Sequence, residues 1–136
     1  MVQAEVIYLL GNNGDRIPYV VADASAIALG DFLELADNMV VTAHAGNVDT
    51  PIVGIAAHEK KALDGHTSMT AITNCVYKAT VLTATGTTTI GDPVSMSATA
   101  GRVDVSTTLD AEKGWSVGYA LQNAAADETV FIRMRK

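Results

Sequence analysis

The sequence is a succession of short apolar runs separated by polar residues and by turns rich in glycine, asparagine and aspartate. In segment 101–105, Gly-Arg-Val-Asp-Val, every second residue is apolar, which is the period of a strand with one buried face. Runs of this kind recur at close spacing, and about ten or eleven of them predict short strands. The predicted strands cover residues 2–10, 17–21, 32–35, 38–42, 51–57, 67–72, 74–81, 93–96, 101–105, 115–121 and 128–134. So many short strands predict a mainly β barrel or sandwich.

Two stretches of the chain resemble each other at an offset of about 61 to 64 residues. The corresponding segments are 28–31 with 89–92, 46–49 with 101–104, and 52–56 with 116–120. Because these landmarks occur in the same order, they predict an internal quasi-repeat with copies over about 16–72 and 77–134. The predicted strand 74–81 runs through the junction without a linker. We therefore expect a single compact domain over 1–136, with both copies sharing one core.

The first two apolar runs are joined by the turn Gly11-Asn12-Asn13-Gly14-Asp15. Asparagine and glycine tolerate the positive φ angles of tight hairpin turns, so the two runs are expected to pair as a β-hairpin. Pro18 has no N–H to donate to a ladder, which places the second strand at a sheet edge or just after the proline. Residues 1–15 thus form a predicted strand and turn, which could also serve as an arm that contacts a partner.

Helical signals are few. The segment Ala56–Leu63 favours a short helix, and Gly65 stands where a helix C-cap is common. Ala22–Leu29 is also rich in alanine, but its counterpart in the second copy, 83–90, is rich in threonine and forms helices poorly. We therefore expect a loop with an irregular strand over 22–29 and at most one or two short helices in the whole chain.

Composition and charge restrict the partners. Hydrophobic residues make up 49% of the chain but aromatics only 5%, which suits thin β layers better than a large ligand pocket. The formal net charge is −6, whereas nucleic acids and anionic membranes are bound by basic surfaces. No apolar run is long enough for a transmembrane helix, and the N-terminus lacks a signal-peptide pattern. We expect a soluble protein made in a cytoplasm, with neither nucleic acid nor membrane as partner.

Cysteine and histidine offer no recognised catalytic or metal-binding spacing. Cys75 is the single cysteine, so no intrachain disulfide can form, and its place in a predicted strand favours a small buried hydrophobe. The pair His58-Glu59 could suggest metal ligands, but His44, His58 and His66 show no HExxH or related pattern, and no cysteine joins them. Solvated loop histidines are the favoured interpretation, and no metal or cofactor is expected.

The remaining polar candidates also favour structural roles. Asp31 and Asp92 occupy equivalent positions, and a carboxylate pair can perform acid–base chemistry. Each follows a glycine in a turn, however, where aspartate is expected to bond the turn backbone. The glycine-rich stretch 11–14 lacks the basic residue and helix start of a phosphate site. Trp115 favours core packing, with an interface anchor as the alternative. No catalytic, cofactor or metal residue is therefore predicted, and no enzymatic activity is expected.

Residues 52–134 resemble a family of tailed-phage capsid decoration, or cement, proteins. The motifs that carry the resemblance are Val53-Gly54-Ile55-Ala56, Gly91-Asp92-Pro93-Val94, Gly101-Arg102-Val103, Val117-Gly118-Tyr119-Ala120-Leu121 and Val130-Phe131-Ile132-Arg133. The resemblance implies a β-tulip-like barrel on the outer surface of an icosahedral head, with the major capsid protein as partner. It also implies homo-oligomers, with trimers favoured, at three-fold or quasi-three-fold positions. The protein would be synthesised in the host cytoplasm and would stabilise the head.

Two other functions remain open from the residues. A small β-barrel adhesion or glycan-binding module would fit the same fold class. A small β-barrel enzyme would have to use His58 and the turn carboxylates Asp31 and Asp92. Binding to capsids, binding to glycans, and loss of turnover in a His58→Ala variant distinguish the three.

Overall fold

The computed structural model describes residues 5–9, 18–46, 50–81, 87–105 and 116–135, with side chains from Pro18 to Met134. These residues form eleven strands and, within the described ranges, no helix. The strands are β1 (Glu5–Leu9), β2 (Pro18–Val20), β3 (Phe32–Asp37), β4 (Val40–Ala43), β5 (Ile52–Ala56), β6 (Ser68–Ile72), β7 (Asn74–Val81), β8 (Pro93–Met96), β9 (Arg102–Val105), β10 (Gly118–Ala120) and β11 (Thr129–Arg135). The predicted number and positions of the strands, and the mainly β fold class, are confirmed.

The strands form two five-stranded barrels. The first barrel closes in the order β2-β4-β3-β5-β6, and every pair is antiparallel except β2 with β4. The second runs β7-β11-β10-β8-β9 and closes through a parallel pairing of β9 with β7. The two barrels therefore repeat one pairing order, strand for strand. The exact copy boundaries of 16–72 and 77–134 stay a prediction.

The shared pairing order corrects one of the three repeat landmarks. Gly101 precedes β9, whose counterpart in the first barrel is β4, and β4 is preceded by Met39. Both residues have a left-handed backbone, with φ of 73° at Gly101 and 54° at Met39. Gly46 instead follows β4. The short Gly-x-Val match misled the prediction because glycine and valine recur throughout such a sequence.

Strand β1 does not form the predicted hairpin with β2. Residues Glu5–Leu9 pair antiparallel with β7, on the same edge that β9 joins farther along that strand. β2 pairs with β4 and β6. The predicted turn at 11–15 lies outside the described residues.

The predicted helix over Ala56–Leu63 is also wrong. Ala56 ends β5, and Lys60 forms an isolated bridge with Ile27, in which each backbone N–H donates to the other residue's carbonyl at 2.7–2.9 Å. A backbone paired in this way cannot make helical hydrogen bonds, so the tertiary contact overrides local propensity. The expected loop over 22–29 is confirmed, with turns and the bridge at Ile27.

The apolar interior consists of two clusters. The smaller fills the first barrel and includes Leu33, Ala56 and Ala71. The larger fills the second barrel and also takes in Phe32, Ile52 and Ile55 from the first. The alternation along β3, β5 and β6 explains this division: one face of these strands turns into the first barrel, and the other face packs against the second. The single core expected from sequence is thus two clusters, of which the larger joins the barrels.

Candidate contact surfaces

The equivalent aspartates Asp31 and Asp92 bond the backbone of their own turns. Oδ2 of Asp31 accepts a hydrogen bond from the N–H of Ala28, and Oδ2 of Asp92 accepts one from the N–H of Thr89, both at 2.9 Å. The glycines before them have φ of 87° and 86°, a conformation that favours glycine. The structural role predicted for both carboxylates therefore matches the geometry.

The histidines have different environments. His44 is buried, and its Nδ1 accepts a hydrogen bond of 3.2 Å from the N–H of Gly101, which links the two barrels. The expectation of a solvated loop histidine is wrong for this residue. His58 and His66 do lie at the surface, in a shallow depression shared with Glu59, Lys60 and Ser68. Within the described residues, no group of three or more His, Cys, Asp or Glu side chains could hold a metal ion.

Cys75 is fully buried in β7, as predicted for a small hydrophobe. Burial raises the pKa of its thiol to about 11, so the thiolate that a nucleophile needs is scarce at neutral pH. Trp115 and the stretch 11–14 lie outside the described residues, and their predicted roles stay predictions. No helix in the described ranges is long and apolar enough to cross a membrane.

A buried lysine organises the loops at one end of the first barrel. The side chain of Lys60 is 1% exposed, and its Nζ donates to the carbonyl oxygens of Asp23, Ser25 and Lys61 at 2.9–3.2 Å. It also contacts Oδ1 of Asp64 at 3.1 Å. Buried ammonium groups are tolerated only when paired and hydrogen-bonded in this way. Lys60 therefore ties the loop before β3 to the loop after β5.

These two loops present apolar side chains to solvent. Between them lies a shallow depression of about 360 Å³, lined by three alanines and Ile27 together with the charged residues Asp31, Glu59, Lys60 and Lys61. Beside it, Leu29 is 61% exposed and Leu63 is 76% exposed. Leu63 also has a φ of 58°, a left-handed conformation that is unfavourable for leucine. We call Leu29, Leu63 and the depression between their loops the loop surface.

A second apolar area lies on the outside of the second barrel. Tyr119 is 41% exposed, Leu121 41% and Phe131 39%, and Pro93 beside them is exposed. Strand pairing places them together, because Pro93 pairs with Tyr119 and the N–H of Leu121 donates to the carbonyl of Phe131. Their chain neighbours Val94, Ala120 and Ile132 point into the barrel. We call these four exposed residues the sheet face.

The family model for phage cement proteins matches residues 11–136, which is nearly the whole chain. The chain belongs to the phage cement protein family. Its fold is similar to the crystal structure of the N base of the head fiber gp8.5 in bacteriophage phi29, with a TM-score of 0.52, 12% identity, and coverage of 88% of this chain and 94% of that chain. Comparison with curated protein sequences finds no match.

This phage cement protein is thus a structural protein associated with the phage head and a component of the virion. The resemblance carried by residues 52–134 is confirmed, and the family match extends across the first barrel as well. The phage cement protein family is generally non-enzymatic. At 12% identity, the phi29 head fiber base supports the fold alone.

Sequence reasoning missed both apolar surfaces of this cement protein. The sheet face did carry a signal, because Phe131 and Ile132 are adjacent apolar residues in one strand and must lie on opposite faces. A strand that is apolar on both faces predicts a contact on each side. The loop surface carried no such signal. The helical propensity of 56–63 predicted a helix, which gives no indication that Lys60 is buried and Leu63 exposed.

Proposed function

We propose that the chain is a non-enzymatic decoration protein that binds the outer surface of an icosahedral phage head and stabilises it by bridging capsid subunits. The major capsid protein is then the partner. Membership of the cement protein family supports this role. Bridging needs no catalytic group, since several weak contacts made at once give strong binding through multivalency.

The loop surface is the part of the molecule that we assign to the capsid, and Leu63 is the observation that carries this assignment. Its left-handed backbone costs stability, and its side chain, which is 76% exposed, gains little packing in return. The equivalent turn in the second barrel has Asp127, with φ of 64°, and aspartate tolerates this conformation well. An unfavourable exposed leucine at such a position indicates a functional contact.

Lys60 supports the same assignment. Because its ammonium group fixes both loops from inside, Leu29 and Leu63 are presented on a preorganised surface, and little ordering entropy is lost on binding. At the equivalent bridge in the second barrel, the lysine is replaced by Ala124. The lysine-braced loops are therefore particular to the first barrel.

The test is co-sedimentation of the protein with purified, undecorated heads of the phage that encodes it. A Leu63→Asn variant should bind at least about 10-fold more weakly, because burial of a leucine side chain contributes about 1.5–3 kcal/mol. The same variant should be no less stable than wild type, because asparagine tolerates a left-handed backbone. Weaker binding together with undiminished stability would show that Leu63 contributes to the contact and that the variant is not misfolded.

Met39→Asn is the matched control. Met39 also has a left-handed backbone, with φ of 54°, and an exposed side chain, but it lies on the β3–β4 turn, outside the loop surface. It should gain similar stability and keep wild-type binding. Failure of the wild-type protein to bind heads would contradict the proposed function. Full binding by Leu63→Asn would contradict only the assignment of the surface.

The expected role of residues 1–15 as a capsid-contacting arm stays a proposal, but the strand that was expected to be added to a neighbour's sheet pairs with β7 of its own chain. Glu5–Leu9 forms the last strand of its sheet, paired on one side with β7. Its outer edge is therefore positioned to accept a strand from a neighbouring chain, by the addition of a strand to a sheet edge. The glycan-binding alternative gains no support from the depression of the loop surface, which has no aromatic lining residue to stack on a sugar.

A further inference from the structure

Each barrel carries an equivalent row of three residues across three paired strands. In the first barrel, Phe32 pairs with Ile55, and Ile55 pairs with Ile72. The equivalent row of the second barrel consists of Pro93, Tyr119 and Arg133, because Pro93 pairs with Tyr119 and Tyr119 with Arg133. Phe32 and Pro93 each come directly after the turn aspartate of their copy.

Two glycines confirm that the rows are equivalent. Gly54 and Gly118 have φ of 154° and 151° and precede the central residue of their rows. A Cβ atom on Gly54 would lie 2.6 Å from the carbonyl oxygen of Ile72, and one on Gly118 would overlap the carbonyl oxygen of Arg133. The same close approach of two strands thus occurs at matching places in both barrels.

The row of the first barrel is covered by the second barrel. Phe32 is 1% exposed and Ile55 is fully buried, and both belong to the larger apolar cluster, against which Ile72 also packs. The ring of Phe32 meets the ring of Tyr77 edge-on, with centroids 5.4 Å apart. An outward-facing row of one barrel therefore forms the contact with the next barrel along the chain.

The row of the second barrel remains exposed to solvent in the single chain. Its central residue, Tyr119, belongs to the sheet face, with Leu121 and Phe131 beside it. Aromatic residues of this kind are enriched among the energetic anchors of protein interfaces. At the end of its two barrels the protein therefore presents Pro93, Tyr119 and Arg133 at the positions where Phe32, Ile55 and Ile72 join the first barrel to the second.

We propose that the sheet face binds a second copy of this chain. The contact resembles the one within a single chain, where the second barrel covers the row of the first barrel. The acceptor is then the first barrel of the next copy. Such a contact is heterologous, joining two different surfaces head to tail, and it closes into a ring or continues as an array. This inference goes beyond capsid binding and does not depend on it.

The first test measures self-association of the purified full-length protein by sedimentation equilibrium, up to about 100 μM, a range that detects micromolar contacts. The wild-type protein should form oligomers. In Tyr119→Glu, self-association should weaken at least about 30-fold, as expected for loss of a central aromatic anchor. The new carboxylate pairs in register with Arg133, which favours an intact strand. Ile90→Ser, a change at an exposed apolar residue of the second barrel outside the sheet face, should associate like wild type.

The second test separates a head-to-tail contact from a symmetric contact between two sheet faces. Labelled Tyr119→Glu protein is mixed with excess wild type. Its acceptor surface is intact, so a head-to-tail contact predicts that it sediments with wild-type oligomers. Exclusion of the variant from these oligomers would overturn the head-to-tail arrangement. A wild-type protein that stays monomeric, or a Tyr119→Glu variant that associates normally, would overturn the proposal, whether or not either protein binds heads.

Discussion

Replacement of Lys60 by methionine should destabilise the protein strongly. Methionine keeps most of the volume of the buried stem but removes the ammonium group. Three backbone carbonyl oxygens and the carboxylate of Asp64 then lose their shared donor. Asp64 keeps hydrogen bonds from the N–H groups of Lys61 and His66, but a buried acceptor left without its donor typically costs about 1–3 kcal/mol, so the three carbonyls together should cost about 3–5 kcal/mol.

This cost converts into a large change of melting temperature. Unfolding entropy is about 2.1 cal/mol/K per residue, so a chain of 136 residues loses about 3–4 °C in Tm for each kcal/mol. Lys60→Met should therefore melt about 10–17 °C below wild type in calorimetry or circular dichroism. Lys61→Met is the matched control: its side chain is exposed, and its change should stay within about 0.5 kcal/mol. A Lys60→Met variant within about 1 kcal/mol of wild type would refute the reasoning.

Acid titration checks the same site independently. The backbone N–H of His66, and then the Lys60 side chain, hold the pKa of Asp64 well below its usual range. A carboxylate whose pKa is depressed in the folded state contributes stability above its unfolded pKa, and this contribution is lost as pH falls toward the folded value. Lys60→Met removes one cause of the depression. The stability difference between the variant and wild type should therefore shrink as pH is lowered from about 6 to about 2.

Two further substitutions test the barrel geometry. Gly118→Ala should lower the free energy of unfolding in urea by about 3 kcal/mol or more, since its Cβ would overlap the carbonyl oxygen of Arg133. In the control Gly91→Ala, the new Cβ has nothing within 4 Å, so backbone strain alone should lower this free energy by about 1–2 kcal/mol. Equal losses in the two variants would contradict this account. Tyr77→Phe should leave stability unchanged or raise it by about 1 kcal/mol, because the buried hydroxyl finds no hydrogen-bond partner among the described residues. A loss above about 1 kcal/mol would show that this hydroxyl is satisfied in the protein.

The strands of this protein could be predicted because each barrel buries one face of every strand. β7 shows this most simply, since its residues alternate between buried and half-buried positions along the whole strand. The helix prediction for Ala56–Leu63 was wrong because the free energy of its helical propensity is small compared with that of the backbone and side-chain hydrogen bonds of Lys60. Those bonds join residues up to 37 positions apart in the chain, and no local pattern contains them.

The contact surfaces were harder to predict than the strands for a related reason. Burial of His44 against Gly101, and of Phe32 against Tyr77, depends on how one barrel sits on the other. Period-two alternation assigns side chains to two faces of a strand, but it does not state which face meets solvent. The sequence therefore predicted that Tyr119 lies in a strand, and only the packing of the barrels shows that it faces outward.

The differences between the two barrels are more informative about function than their similarities. Equivalent positions hold the same residue types where the fold requires them, as at Gly54 and Gly118. They diverge at the ends of the molecule, where Leu63 stands opposite Asp127 in the repeat and buried Ile55 stands opposite exposed Tyr119. In the proposed arrangement, the loops of one barrel bind the capsid and a face of the other barrel binds the next molecule. Because the two surfaces lie on different barrels, Leu63→Asn and Tyr119→Glu should affect head binding and self-association separately.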